Sequence, residues 1–251
     1  MPFIGAGGHR LEYAWFGRQG AMPAIVMLHE GLGSLSLWRD FPFELAKATS
    51  RRVLAYSRYG YGASDPIEGP RGVDFMHIEA LGTLPELLDA LDVRDPVLFG
   101  HSDGASIALI HAARAHRPVS ALVALAPHVF VEQYGIDSIA RARLAYLAGA
   151  LRQKLVRHHQ DVDSAFWGWN DIWLAPAFRA WNIEALLPEV ACPALAVQGL
   201  DDEYGTLEQI ERIARGLGRL RRLELADCGH SPHRDQPAAV LAQTAAFLRT
   251  P

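Results

Sequence analysis

Short, continuous apolar runs alternate along this chain with longer segments whose apolar residues recur every three or four positions. The runs fall at 24–28, 52–57, 96–99, 121–125, 194–198 and 223–226. A strand that is apolar at nearly every position must be covered on both faces, so these runs predict a mostly parallel sheet between two helical layers. Segment 10–16 alternates more strictly and predicts an antiparallel edge strand. Helical spacing is carried by 78–91, 105–115, 206–217 and 238–248.

The rhythm breaks once, over about 132–188. No strand pattern occurs there, but helix formers are abundant, and Phe166, Trp167, Trp169, Trp173, Phe178 and Trp181 cluster together. So long a stretch inside a compact domain requires structure of its own. It predicts a helical insertion, 131–189, forming a lid over the carboxyl ends of the strands, with 1–130 and 190–251 making one α/β core domain. Most of these aromatics are expected to pack the lid onto the core, while Trp167 and Trp173 are expected to line a pocket.

Composition narrows the function classes. A chain of 251 residues, 50% hydrophobic and 21% charged, can build one large α/β core. The net charge of -4 and the lack of any Lys/Arg block speak against a nucleic-acid surface. Cys192 and Cys228 have no metal-ligand spacing. No apolar stretch is long enough to span a bilayer, and no basic patch precedes an apolar run at the start. A cytoplasmic protein is therefore expected, with no membrane or nucleic-acid partner; its partners would be a small-molecule substrate and at most a second copy of the chain, as a homodimer.

The candidate chemistry lies where strands end. The run at 96–99 leads into Gly100-His101-Ser102-Asp103-Gly104, a strand-to-helix turn in which a side chain at either glycine would strike neighbouring backbone. A serine hydroxyl needs a base, and the base an orienting acid. After 194–198 comes Gly199-Leu200-Asp201-Asp202, and after 223–226 comes Asp227-Cys228-Gly229-His230-Ser231-Pro232-His233. Both carry suitable groups at the strand ends where open α/β sheets bind ligands.

With His29-Glu30-Gly31-Leu32-Gly33-Ser34 and Ser57-Arg58-Tyr59-Gly60-Tyr61-Gly62-Ala63-Ser64, these motifs resemble the α/β-hydrolase superfamily over nearly the whole chain. The resemblance implies an α/β-hydrolase fold and a nucleophile–acid–histidine order: Ser102 the nucleophile, Asp202 the acid with Asp201 its rival, and His230 the base with His233 competing. It implies an oxyanion hole from the Asp103 amide and a second donor after His29. Anchoring on His29 gives Gly31, whereas aligning the Gly-x-Gly gives Leu32, otherwise a substrate contact. Glu30 stands where glycine is common in the family, either as a turn or surface residue or ordering the loop through a hydrogen bond. His128, after the strand at 121–125, is expected to face the pocket; His101 is expected to pack or bond beside the turn, and Trp38 and Arg58 to brace the oxyanion loop. His158 and His159, with Asp161 and Asp163, are expected on a solvated lid surface rather than around a metal. No cofactor is expected, since Gly60-x-Gly62 lacks a phosphate-binding helix context.

Relatives that displace at saturated carbon attack with aspartate; a serine implies acyl transfer. The expectation is thus a serine hydrolase of small carboxylic esters, lactones or thioesters. Hydrolysis of C–C bonds in ring-cleavage diketones is the alternative, and a ligand receptor with vestigial catalysis the alternative of another class.

Overall fold

The computed structural model describes residues 1–249. Eight strands form one sheet: β1 Phe3–Ala6, β2 His9–Phe16, β3 Ile25–Leu28, β4 Val53–Tyr56, β5 Val97–His101, β6 Ala121–Leu125, β7 Ala194–Gly199 and β8 Leu220–Leu225. Their order is β1-β2-β4-β3-β5-β6-β7-β8. The β1–β2 and β2–β4 pairs are antiparallel, and β4 through β8 run parallel. Ten α-helices accompany them: α1 Phe41–Thr49, α2 Phe75–Ile78, α3 Leu84–Ala90, α4 Asp103–Arg114, α5 Gln133–Leu147, α6 Ala150–Leu155, α7 Val162–Leu174, α8 Glu208–Gly216, α9 Pro232–Asp235 and α10 Pro237–Arg249.

The strand side chains divide by period two into two cores. Val26, Leu28, Leu54, Tyr56, Leu98 and Leu122 face one side, where α4 contributes Ile107 and Ile110. Ile25, Met27, Val53, Ala55, Val97, Phe99, Val123 and Val197 face the other, covered by Leu45 of α1 and by Val240 and Phe247 of α10. Continuous apolar runs are the consequence of this double burial.

Two expectations need correction, and one helix lies outside them. The sheet edge is β1, joined to β2 through Gly7 and Gly8 at φ 61 and 76, so 10–16 is the second strand. Helix α1 carried too short an apolar pattern to be recognised; Pro42 in its first turn starts it, and Phe41 and Leu45 anchor it. β8 begins three residues before the apolar run at 223–226, because Arg221 and Arg222 lie exposed on an outer strand.

Between β6 and β7 the chain forms α5, α6, α7 and two 3₁₀ turns, Pro176–Ala180 and Glu184–Glu189. Its ends are tied by a bridge between Phe130 and Asn182 and by the Ile183 amide on the Val129 carbonyl, 2.8 Å. Ile136, Ile139, Phe166, Trp169, Trp173 and Phe178 join the same apolar cluster as the α4 face of the sheet.

Candidate active site

β5 delivers Ser102 into a sharp turn. Its backbone has φ 53 and ψ -120, a region that residues with a Cβ rarely occupy. The flanking glycines make the turn sterically feasible. A Cβ on Gly100 would lie 2.4 Å from the Gly104 carbonyl oxygen, and one on Gly104 would lie 2.1 Å from that of Leu28. α4 starts at the next residue, so the Asp103 amide belongs to a first helical turn and has no partner within the helix.

Two other strand ends bring up the histidine and the carboxylate. His230 Nε2 stands 2.9 Å from Ser102 Oγ, while Nδ1 lies 2.8 Å from Asp202 Oδ1 and 2.9 Å from Oδ2. The carboxylate can only accept, so Nδ1 carries the hydrogen and Nε2 is left to accept from the serine. Asp202 is fixed by further donors: Gln198 Nε2 at 2.5 Å, the Tyr204 amide at 2.8 Å and the Gly205 amide at 3.1 Å. Burial alone would lower the His230 pKa, but the Asp202 charge and hydrogen bond outweigh it and leave the value raised above 6.5. For Asp202 burial pushes upward, but the charge and hydrogen bond of His230, with the Tyr204 amide, bring the pKa below its ordinary value.

The rivals fall elsewhere. Asp201 is exposed, and its amide donates to the Cys228 carbonyl. His233 is buried against Trp38, with ring centroids 4.8 Å apart, and against His101 at 4.9 Å. Burial first, then the neighbouring His101, holds its pKa well below the ordinary value.

The loop after β3 is braced from within. His29 Nδ1–H donates to the Glu30 carbonyl at 2.7 Å, and its Nε2 accepts the Arg58 amide at 3.0 Å. Burial and the adjacent Arg58 keep this imidazole neutral. The Arg58 guanidinium donates to the same Glu30 carbonyl at 3.0 Å and lies 3.9 Å from Asp103 Oδ2, joining the loop to the start of α4. Glu30 is neither a bare turn residue nor a surface one. His101 Nε2 donates to the His230 carbonyl at 2.6 Å, and His101 Nδ1 lies 3.2 Å from Glu30 Oε2. A chain of contacts therefore runs from the Gly31 loop to the His230 loop beneath Ser102.

Above these groups lies a cavity of about 160 Å³. Its lining includes Gly31, Leu32, Ser102, Asp103, His128, Trp173 and His230, seven of the nine residues expected at the site. Asp202 stands behind His230. Trp167 does not line it. On α7, positions 166, 169, 170 and 173 share the inward face, and Trp167 turns to a separate surface cleft with Ile67 and Pro70, under the Arg143 guanidinium at 5.4 Å. Trp169 takes the place expected for Trp167: a Cβ on Gly31 would lie 2.2 Å from its indole. The signal was available, since 169 and 173 are one helical turn apart. His128 is desolvated beside His230, which lowers its pKa to about 3 and keeps it an uncharged wall.

The expectation of a solvated lid surface fails for His159 but not for His158, which stays partly exposed. His158 Nδ1 bonds Ser36 Oγ at 2.8 Å. His159 is buried, its Nδ1 accepting the Gly62 amide and its Nε2 donating to the Leu32 carbonyl, each at 3.0 Å. It staples the inserted helices to the loop beside the serine. Asp161 caps α7, and Asp163 pairs with Arg152. Among the described residues no cluster could hold a metal ion, and no helix is long and apolar enough to cross a membrane.

Comparison with known proteins gives a consistent family. A model described as the alpha/beta hydrolase family matches residues 25–244. The chain is 27% identical over 231 residues to RutD of Agrobacterium fabrum, provisionally named a carbamate hydrolase, covering 82% of this chain and 86% of that one. It is 27% identical over 255 residues to 2-hydroxymuconate semialdehyde hydrolase of Pseudomonas sp. CF600, covering 91% and 88%. The fold is similar to that of the enol-lactonase from Burkholderia xenovorans LB400, with a TM-score of 0.75 at 21% identity over 98% and 99% of the two chains.

Proposed function

The chain belongs to the alpha/beta hydrolase family, and from that premise we propose that it is a serine hydrolase of small carboxylic esters, lactones and thioesters included, acting through an acyl-enzyme on Ser102. One observation carries the proposal: Ser102 Oγ, His230 and Asp202 stand in hydrogen-bonding sequence at the floor of a cavity walled by Ile139, Trp169, Trp173 and Tyr204. In this reading His230 takes the Ser102 proton as Oγ attacks the ester carbonyl. The Asp103 and Gly31 amides hold the resulting oxyanion, and the alcohol leaves with the proton from His230. Water then repeats the sequence on the acyl-enzyme and releases the acid. The apolar walls favour an apolar or aromatic acyl or alcohol part. The inserted helices act as the lid, and Leu32, His128, Trp169 and Trp173 contact the substrate.

The test is a screen of short aryl esters, lactones and thioesters with Ser102→Ala as the blank. The expected outcome is turnover that falls about 10⁴-fold or more in the variant; a folded protein that leaves all three classes untouched sinks the proposal. The relation to 2-hydroxymuconate semialdehyde hydrolase favours a second reading, C–C bond hydrolysis of a ring-cleavage diketone. It predicts strong turnover of a vinylogous 1,5-diketone with weak turnover of simple esters.

A further inference from the structure

The cavity is lopsided in charge. Glu30, Asp103, Glu132 and Glu203 line it, and no Lys or Arg is among the lining residues. Two of these carboxylates have guanidinium neighbours: Asp103 has Arg58 at 3.9 Å, and Glu30 has Arg234 at 3.7 Å. The other two are held by uncharged donors. Glu132 accepts from the Thr206 amide at 3.1 Å, Thr206 Oγ1 at 2.6 Å and Gln209 Nε2 at 2.7 Å. Glu203 Oε2 accepts the His230 amide at 3.1 Å. Arg141, on the facing turn of α5, donates to Ser138 Oγ instead.

Neutral donors orient a carboxylate without cancelling its charge. The remaining walls, Ile139, Trp169, Trp173 and Tyr204, are apolar or aromatic. Such walls concentrate the field of the carboxylates within the cavity, and aromatic faces attract cations. A substrate carboxylate entering here would be stripped of water with no Lys or Arg to pair with, next to groups of its own sign.

Resting on the ester-hydrolase reading, we propose that the site sorts substrates by charge: it takes esters whose non-reacting part is neutral or carries an ammonium group, and rejects those carrying a carboxylate. Carboxylate-bearing ring-cleavage acids thereby fall outside its substrates. The probes are 3-tert-butylphenyl, 3-(trimethylammonio)phenyl and 3-carboxyphenyl acetates, each rate normalised to alkaline hydrolysis of the same ester. The expected kcat/KM for the carboxylate is lower than that of the neutral ester by about tenfold or more, with the ammonium ester equal to or above the neutral one. The gap narrows at about 0.5 M salt and in Glu203→Gln, whose amide oxygen still accepts the His230 amide. Equal turnover of the carboxylate and neutral esters overturns the proposal, as does a preference unmoved by Glu203→Gln and Glu132→Gln together. Should none of the acetates be hydrolysed, the ester reading fails separately. Calorimetric titration with 3-carboxyphenylboronic and 3-(trimethylammonio)phenylboronic acids, which add reversibly to an activated serine, then decides the charge question. Tighter binding of the ammonium compound supports charge sorting; equal binding, tighter binding of the carboxylate, or binding of neither overturns it.

Discussion

Ser102 owes its position to crowded backbone, whereas Trp169 and Trp173, on the opposite wall of the same cavity, owe theirs to packing along one face of a helix. At the strand ends each constraint is local. Gly100 and Gly104 are demanded by atoms a few residues or one strand away, and Asp202 is oriented by the amides of Tyr204 and Gly205 that follow it. In the inserted helices the constraint is distributed. Trp169 faces Ser102 because Phe166, Ile172 and Trp173 bury their side of α7 in the shared core, and because Gly31 leaves room for an indole. A local constraint leaves a signature in the residue type itself, and a distributed one leaves only a choice of helical face.

The largest expected effect tests the strand-end side. Asp202→Asn should lower kcat/KM by about 10²- to 10⁴-fold, since the amide no longer holds the His230 Nδ1–H tautomer. Asp201→Asn should stay within about twofold. The reverse ranking in steady-state kinetics would mean that the exposed carboxylate, rather than the buried one, orients the base.

Next comes the backbone itself. Gly104→Ala forces a Cβ to within 2.1 Å of the Leu28 carbonyl oxygen, backbone that cannot yield as a side-chain tip would. Destabilisation of about 2–3 kcal/mol is expected, lowering Tm by roughly 5–10 °C in thermal unfolding. A variant as stable as the parent would show that the turn is less constrained than its geometry implies.

The same division explains what could be read from the sequence. Ser102 and Asp202 were legible because each follows an apolar run that can only be a buried strand, His230 because it follows a shorter partly apolar run, and all three because glycine marks the nearby turns. The two-sided core was legible for the same reason. Three features were not. β8 was half hidden because its outer position leaves Arg221 and Arg222 exposed. Trp167 and Trp169 differ only in which way α7 is turned, and that depends on contacts with segments more than 20 residues away. The burial of His159 depends on Gly62 and Leu32, 97 and 127 residues distant, and adjacent histidines give no hint that one is wet and the other sealed.

The helical side yields a smaller effect that is still specific. Trp169→Ala should raise KM by about tenfold, from the loss of one buried aromatic wall, while Trp167→Ala should change it by less than about threefold. Both unfolding temperatures are measured alongside, since Trp169 is also buried. Equal effects on KM from the two variants would erase the distinction between the faces of α7.

The smallest effect probes the place where the two kinds of constraint meet, at Glu30. This carboxylate lies against His101, which bonds the His230 carbonyl, and its charge adds to those of Asp202 and Glu203 in raising the His230 pKa above 6.5. In the proposed mechanism His230 acts as a base only when neutral, so activity should disappear as pH falls through that raised value. Glu30→Gln keeps a polar contact with His101 but removes a charge that favours the imidazolium. The midpoint of the acid limb in kcat/KM should therefore move to lower pH, by less than in Asp202→Asn, and relative activity below pH 6.5 should rise. A general loss of activity with an unmoved midpoint would make Glu30 a brace for the loop alone. A downward shift would show that a residue of the loop after β3 also sets the charge state of His230, and thus that the local and distributed constraints share one electrostatic unit beneath Ser102.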